Sequence, residues 1–195
     1  MKLTLLDRDG VVVVNRATNI KAPADLSLIE GAAEGIGHLN AAGFTVAIYT
    51  NQPEVARGAM TLAERRQVHE ALDTILRSEG AVIDRIFSCT SFLKCPRRKP
   101  AAGMLREALD HYGARAKDTP FVGDQADDLK AGFHAGCQRV LVRTGLGARA
   151  LAAGLPDYVR PIAICANLQA ATLAIVPNEK RGTEAPRFPS HARRN

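Results

Sequence analysis

The chain has 195 residues, 46% of them hydrophobic and 24% charged, with a formal net charge of +6. That length suits one domain with a proper core, and the apolar and charged fractions exclude a disordered or fibrous protein. No apolar run is long enough for a membrane span and no leader precedes the first predicted strand, so no membrane partner is expected and the cytoplasm is the expected compartment.

The charge is uneven. Residues 177–195 hold five basic side chains and two acidic ones, half of the net charge, together with three prolines and a single aromatic residue. Such a segment cannot bury enough to fold, so the expected organisation is one domain over 1–176 and a disordered basic tail over 177–195. The body is only mildly basic, and nucleic acid is not the expected partner. Cys89, Cys95, Cys137 and Cys165 form no secreted disulfide pattern and are expected to be reduced.

Leu3 to Leu6 is an apolar run that ends in Asp7-Arg8-Asp9-Gly10, a buried strand carrying two acids to its tip. Extended alternation points Asp7 and Asp9 one way and Arg8 the other, and two acids so close need a cation or a shared proton. Val11 to Val14 reads as a short strand or flap, followed by a loop from Asn15 to Asp25. Glu30-Gly31 opens a small-residue helix to about Ala42, with Ile36 and Leu39 inward and Gly43 closing it. Phe44 to Tyr49 is a second buried strand, ending at Thr50-Asn51-Gln52.

Thr61 and Glu64 form a capping box for a helix whose stripe is Leu62, Val68, Leu72, Ile75 and Leu76. Val82 to Ser88 is a third strand, and an irregular loop runs from Cys89 to Arg98. Lys99-Pro100 is predicted to start a helix through about Tyr112, since proline fits a first turn. Pro120 to Val122 is a strand ending in Gly123-Asp124, and the helix from Gln125 to Ala135 brings Asp124 and Asp128 together at its N-terminus. Arg139 to Val142 is a fifth strand, Tyr158-Val159 a short sixth, and Asn167 caps a last helix to Ile175. The five histidines have no metal spacing and are expected on helix surfaces or in the tail.

This alternation predicts an α/β, Rossmann-like three-layer domain with a mostly parallel sheet. Polar groups then converge at the carboxyl ends of the strands: Asp7, Asp9, Thr50, Asn51, Asp124 and Asp128, with Lys99 nearby. Clustered carboxylates describe a hard-cation site such as magnesium, and a lysine with a hydroxyl describes contacts to phosphate. An aspartate can serve as nucleophile in such phosphoryl transfer.

Asp7-Arg8-Asp9-Gly10, Thr50-Asn51-Gln52, Arg98-Lys99-Pro100 and Gly123-Asp124 through Asp128 resemble, in order, the four motifs of haloacid dehalogenase superfamily phosphatases. The resemblance runs from Lys2 to about Ile175. Ala56-Arg57-Gly58, the segment from Arg98 to Met104, and Val142-Arg143-Thr144-Gly145 resemble the heptose bisphosphate and histidinol-phosphate phosphatase group. The resemblance implies that Asp7 attacks phosphorus, while Asp9 protonates the leaving alkoxide and later activates water. Thr50 and Asn51 would bond the phosphoryl oxygens, and Lys99 would neutralise them. Magnesium would lie between the Asp7 carboxylate, the Asp9 main-chain carbonyl and Asp124, with Asp128 behind. Asn51, Gln52, Arg57 and Arg98 are the candidate substrate-side residues. Neither insertion point has room for a folded cap, so a capless or minimal-cap form is expected.

The group commonly carries a zinc loop of the form Cys-x-His, spacer, Cys-x-Cys before Arg-Lys-Pro. Here Cys89 and Cys95 remain, while Ser91 and Arg97 occupy the other two positions, so no stoichiometric zinc is expected. Pro53-Glu54 replaces the usual serine and glycine, and Val13 stands where the flap usually has asparagine, with Asn15 close by. The expected function is magnesium-dependent phosphomonoester hydrolysis through an aspartyl-phosphate, acting on a small phosphorylated substrate. By resemblance this is a sugar phosphate, D-glycero-D-manno-heptose 1,7-bisphosphate, losing its 7-phosphate. Histidinol phosphate or another small ester comes second. A capless site also admits a polynucleotide 3′-phosphate, and a silent fold-retaining binding module is the non-enzyme alternative. A monomer or weak oligomer is expected.

Overall fold

The structure is a computed structural model that describes residues 1–176. The expected tail of 177–195 lies outside them. Six strands, β1 (Lys2–Asp7), β2 (Phe44–Asn51), β3 (Arg85–Cys89), β4 (Pro120–Gly123), β5 (Gln138–Val142) and β6 (Ala163–Cys165), form one sheet in the order β3-β2-β1-β4-β5-β6. Every pairing is parallel. The helices are α1 (Ala32–Ala41), α2 (Leu62–Ser78), α3 (Gly103–Tyr112), α4 (Ala126–Ala135), α5 (Gly147–Ala152) and α6 (Leu168–Ile175). Among the described residues no helix is long and apolar enough to cross a membrane, and no folded cap interrupts the sheet.

Strand alternation builds two cores. Leu3 and Leu5 face one side, where Tyr49, Phe87 and Phe121 pack on Met104 and Leu105 of α3. Leu6 joins Val46, Ile48 and Val122 on the other, against Ile36 of α1, Leu72 of α2 and Leu168 of α6. Each such side chain contributes roughly 1.5–3 kcal/mol on burial. The capping box of α2 is present, with Thr61 accepting from Glu64 N–H at 3.1 Å and Glu64 Oε2 accepting from Thr61 N–H at 2.7 Å. Its predicted stripe is narrower than expected, since Leu62 is exposed.

Strand order reverses beside β1, which pairs with β2 on one side and β4 on the other. A crevice opens at the carboxyl ends there, the usual ligand position in such sheets. Gly10, at a φ of +85°, turns the chain away from β1, and Val13 bridges back to Asp9 and Leu28, making the flap.

Several boundaries differ from expectation. The third strand begins at Arg85, not Val82. The segment Tyr158-Val159 belongs to a short 3-10 turn, because the Val159 carbonyl accepts from the Arg139 side chain at 2.7 Å instead of from a ladder; the sixth strand is Ala163–Cys165. The α5 helix was not anticipated. Lys99 lies before the helix, not in it: α3 starts at Gly103, whose N–H donates to the Pro96 carbonyl at 2.8 Å, while Lys99 is held in a turn by β2.

Candidate active site

At the tip of β1, Asp7 is 2% exposed and its Oδ1 accepts from Arg8 N–H at 2.8 Å. Lys99 Nζ stands 2.6 Å from that same oxygen and 2.7 Å from Asp128 Oδ1. Asp128 reaches this point because it is the third residue of α4: its Oδ2 accepts from the N–H groups of Asp124 (3.1 Å) and Gln125 (2.9 Å), completing the N-terminal cap. Lys99 is fixed from the other side by β2. Asn51 Oδ1 accepts from Lys99 N–H at 3.2 Å, and Asn51 Nδ2 donates to the Lys99 carbonyl at 3.4 Å.

Asp124 follows β4. Its Oδ2 accepts from Leu146 N–H at 2.7 Å, while Oδ1 is buried without a hydrogen-bond partner. The carboxylate, on its Oδ2 side, sits in a cradle that only glycine permits. A Cβ on Gly10 would lie 2.0 Å from Asp124 Oδ2, and one on Gly145 would lie 2.2 Å from it. Thr144 ties the two strands' loops together by donating to the Gly10 carbonyl at 2.7 Å.

Carboxylate oxygens of Asp7, Asp124 and Asp128 all lie within 4.8 Å of one another. Three buried acids face one buried ammonium. Burial, then the nearby Asp128 carboxylate, push Asp7 well above the usual carboxylate range and Asp124 up to about 7. Burial alone would pull Lys99 down, but Asp128 and Asp7 hold it above the ordinary lysine value, so it stays charged. One positive charge leaves the carboxylates under-neutralised, and Asp124 Oδ1 lacks any donor. This donor set fits a hard divalent cation, whose charge would offset the several kcal/mol that an uncompensated buried ion costs.

Asp9 lies beside this group. Arg8 does not point away from it: the strand ends at Asp7, the chain turns, and the buried Arg8 guanidinium grips both Asp9 oxygens, with Nε–Oδ2 at 3.1 Å and Nη2 at 3.1 Å from Oδ1 and 2.9 Å from Oδ2. Thr50 Oγ1 donates to Asp9 Oδ2 at 3.3 Å. Asp7, Asp9, Thr50, Lys99, Asp124 and Asp128 are therefore brought together.

A cleft of about 880 Å³ opens above them. Arg57 lies on its wall, exposed, and Arg98 lies there half-buried, donating to the Ser91 carbonyl at 3.0 Å. Lys94 adds a third cation that the sequence did not single out. Asn15 also lines the cleft, as does Asn19, whose amide donates to the buried Glu54 at 2.8 Å.

Gln52 is placed differently from the expectation. Its side chain, one residue past the end of β2, is buried away from the cleft and pairs with His69 of α2 at 2.7 Å. His69 is correspondingly no plain surface residue. Burial, with Arg8 and Arg65 nearby, pulls its pKa down to about 4 and keeps it neutral. The residues missed by sequence reasoning, Arg8, His69, Thr144 and Leu146, act through contacts distant in the chain or through main-chain groups. The Thr144-Gly145 pair was the one available signal.

A family model described as HAD-hydrolase-like matches residues 96–171. D-glycero-beta-D-manno-heptose-1,7-bisphosphate 7-phosphatase of Pseudomonas putida is 39% identical over 159 residues, 80% of this chain and 91% of that protein. The protein of the same name from Bordetella bronchiseptica is 38% identical over 173 residues, covering 87% and 95%. The crystal structure of the D,D-heptose 1,7-bisphosphate phosphatase of B. bronchiseptica, complexed with magnesium and phosphate, superposes with a TM-score of 0.84 at 36% identity, covering 90% of this chain and 98% of that one. The corresponding enzyme from Burkholderia thailandensis gives 0.71 at 30% identity, covering 91% and 100%.

Proposed function

We propose that this chain, which belongs to the heptose-1,7-bisphosphate 7-phosphatase family of haloacid dehalogenase-like hydrolases, is a magnesium-dependent phosphatase that removes the 7-phosphate of D-glycero-D-manno-heptose 1,7-bisphosphate. The observation that carries the reading is Lys99, clamped between Asp7 and Asp128 beside the unpartnered oxygen of Asp124.

Asp7 attacks phosphorus and the bond to the sugar oxygen breaks, leaving an aspartyl-phosphate. Lys99 balances charge on the Asp7 carboxylate and the phosphoryl oxygens, and Thr50 donates to the latter. Asp9, held beside the site by Arg8, gives a proton to the departing alkoxide and takes one from the water that then attacks phosphorus, releasing phosphate. Asp7, the Asp9 main-chain carbonyl and Asp124 would hold the magnesium ion, which supplies charge neutralisation when bound. Asp128 keeps Lys99 in place from behind.

Asn51 positions Lys99, and Arg57 and Arg98 on the cleft wall receive the sugar and its second phosphate, for which long cationic side chains are suited. The proposed setting is the cytoplasm, consistent with four free cysteines, with the chain acting as a monomer or weak oligomer and without stoichiometric zinc. The testing experiment is a panel with magnesium: both anomers of the heptose bisphosphate, histidinol phosphate, simple sugar monophosphates and a 3′-phosphorylated oligonucleotide. The bisphosphate is expected to lead in kcat/KM by on the order of tenfold or more, with phosphate leaving carbon 7. Equal or better turnover of histidinol phosphate, or of the oligonucleotide with steep salt dependence, would overturn the substrate assignment.

A further inference from the structure

The end of β3 and the loop that follows it before Lys99 carry two thiols that the phosphatase reading leaves unused. Cys89 ends β3 and is 3% exposed, whereas Cys95 is half-buried and lines the cleft. Their Sγ atoms are 3.4 Å apart and hydrogen-bonded to each other. The positions that would complete a metal site are otherwise engaged. Ser91 Oγ accepts from Leu93 N–H and donates to the Leu93 carbonyl, both at 3.2 Å, and Arg97 is ion-paired with Glu107 and donates to the Ser88 carbonyl. Two thiolates without further ligands do not hold a tetrahedral ion. A disulfide needs sulfurs about 2.05 Å apart, so closure asks for an approach of about 1.4 Å by one irregular loop.

We propose that Cys89 and Cys95 form a reversible disulfide by exchange with a low-molecular-weight disulfide such as oxidised glutathione, and that this oxidation resets the cleft wall at Arg98. Cys95 attacks as the thiolate, joins one sulfur of the small disulfide and expels a small thiolate that takes up the released proton. Cys89 then loses its proton, attacks Cys95 Sγ and expels the second small thiol. The protein gives up two electrons and two protons, and the small disulfide, cleaved to two thiols, gains both.

The surroundings suit this order of events. Burial opposes it, but the Cys89 thiol and the N–H groups of Arg97 and Arg98 together pull the Cys95 thiol below its ordinary value, while burial pushes Cys89 up. The accessible thiol is thus the readier nucleophile and the buried one resolves the mixed disulfide. Coupling to the cleft is direct: the Cys95 carbonyl accepts from Arg98 N–H at 3.1 Å, and the Arg98 guanidinium donates to Ser91 in the same loop. Drawing Cys95 toward β3 moves Arg98, whereas Lys99 stays pinned by Asn51.

The test uses the purified full chain in glutathione buffers of graded ratio. Trypsin cleaves after Lys94, between the two cysteines, so the fragments bearing Cys89 and Cys95 stay joined only while the disulfide is intact. The expected result is a joined pair that separates on reduction, with KM for the heptose bisphosphate raised several-fold, kcat nearly unchanged, and p-nitrophenyl phosphate turnover unaffected. In Cys89→Ser, glutathione should remain attached to Cys95, and in Cys95→Ser the activity should ignore the buffer ratio. Wild type that stops at a persistent mixed disulfide, or one zinc ion per chain shielding both thiols, would overturn the proposal. So would a joined pair without any change in KM. The fragment readout does not depend on phosphatase activity, so its failure is distinguishable from failure of the functional reading on which the KM arm rests.

Discussion

Asn51 holds Lys99 by its main chain, accepting from its N–H at 3.2 Å and donating to its carbonyl at 3.4 Å. The two residues are far apart in sequence, at the end of β2 and ahead of α3, yet this pairing aims the ammonium at Asp7. Asn51→Ala should therefore lower kcat on the order of 10²-fold with a small change in KM, because a displacement of about 1 Å at the reacting centre has that effect. Asn51→Asp keeps the acceptor for Lys99 N–H and should retain more activity than Asn51→Ala. Steady-state kinetics of the two variants on one substrate decide it, and equal losses would show that the pairing does not position Lys99.

Asp7→Asn should abolish turnover while leaving the fold intact. Removing one of three clustered buried acids also relieves repulsion in the metal-free protein. Thermal unfolding in chelator should thus show a midpoint equal to or above that of the parent. Measurable turnover by Asp7→Asn would remove Asp7 from the role of nucleophile.

Magnesium should raise the unfolding midpoint of the parent chain, since binding to the folded state alone contributes about 2.7 kcal/mol at a hundredfold excess over Kd. Asp124→Asn should lose most of that shift, because a carboxylate grouped with Asp7 and Asp128, one of whose oxygens has no partner, becomes a neutral amide. Calorimetry with and without magnesium measures both. An undiminished shift in Asp124→Asn would move the metal away from this residue.

His69 predicts an acid limb in stability. Its folded pKa of about 4 lies below the ordinary 6.5 of histidine, so the unfolded chain binds the extra proton first. Stability is whole above about pH 6.5 and declines as pH falls toward 4, by up to about 1.4 kcal/mol per pH unit across that window. His69→Gln should show a shallower decline over the same range in urea unfolding. Parallel curves for parent and variant would contradict the assigned shift.

Metal analysis of the purified chain should find substoichiometric zinc. Only two thiols of the familiar four-ligand loop remain, and Ser91 and Arg97 are held by Leu93 and Glu107.

Much of the site was legible in one dimension because strands deliver their last residues to one edge. The apolar run Leu3 to Leu6 ends at Asp7, Phe44 to Tyr49 ends at Thr50 and Asn51, and β4 ends at Asp124, so alternation and topology together brought these groups to the same crevice. The four-residue spacing at the start of the predicted helix likewise brought Asp128 near Asp124, and the structure adds that Asp128 caps α4.

What the sequence by itself determined was the order of the elements, the edge at which their polar ends meet and, through four ordered motifs, the family resemblance. Which side chain answers which was decided only in three dimensions. Arg8 turns back onto Asp9, Gln52 faces His69 instead of the cleft, and Leu146 N–H closes on Asp124. Local periodicity records which face of its own element a residue occupies. It carries no information on a turn beyond the strand's end, or on a main-chain donor delivered from another loop, and those contacts exist only once the sheet has closed around β1.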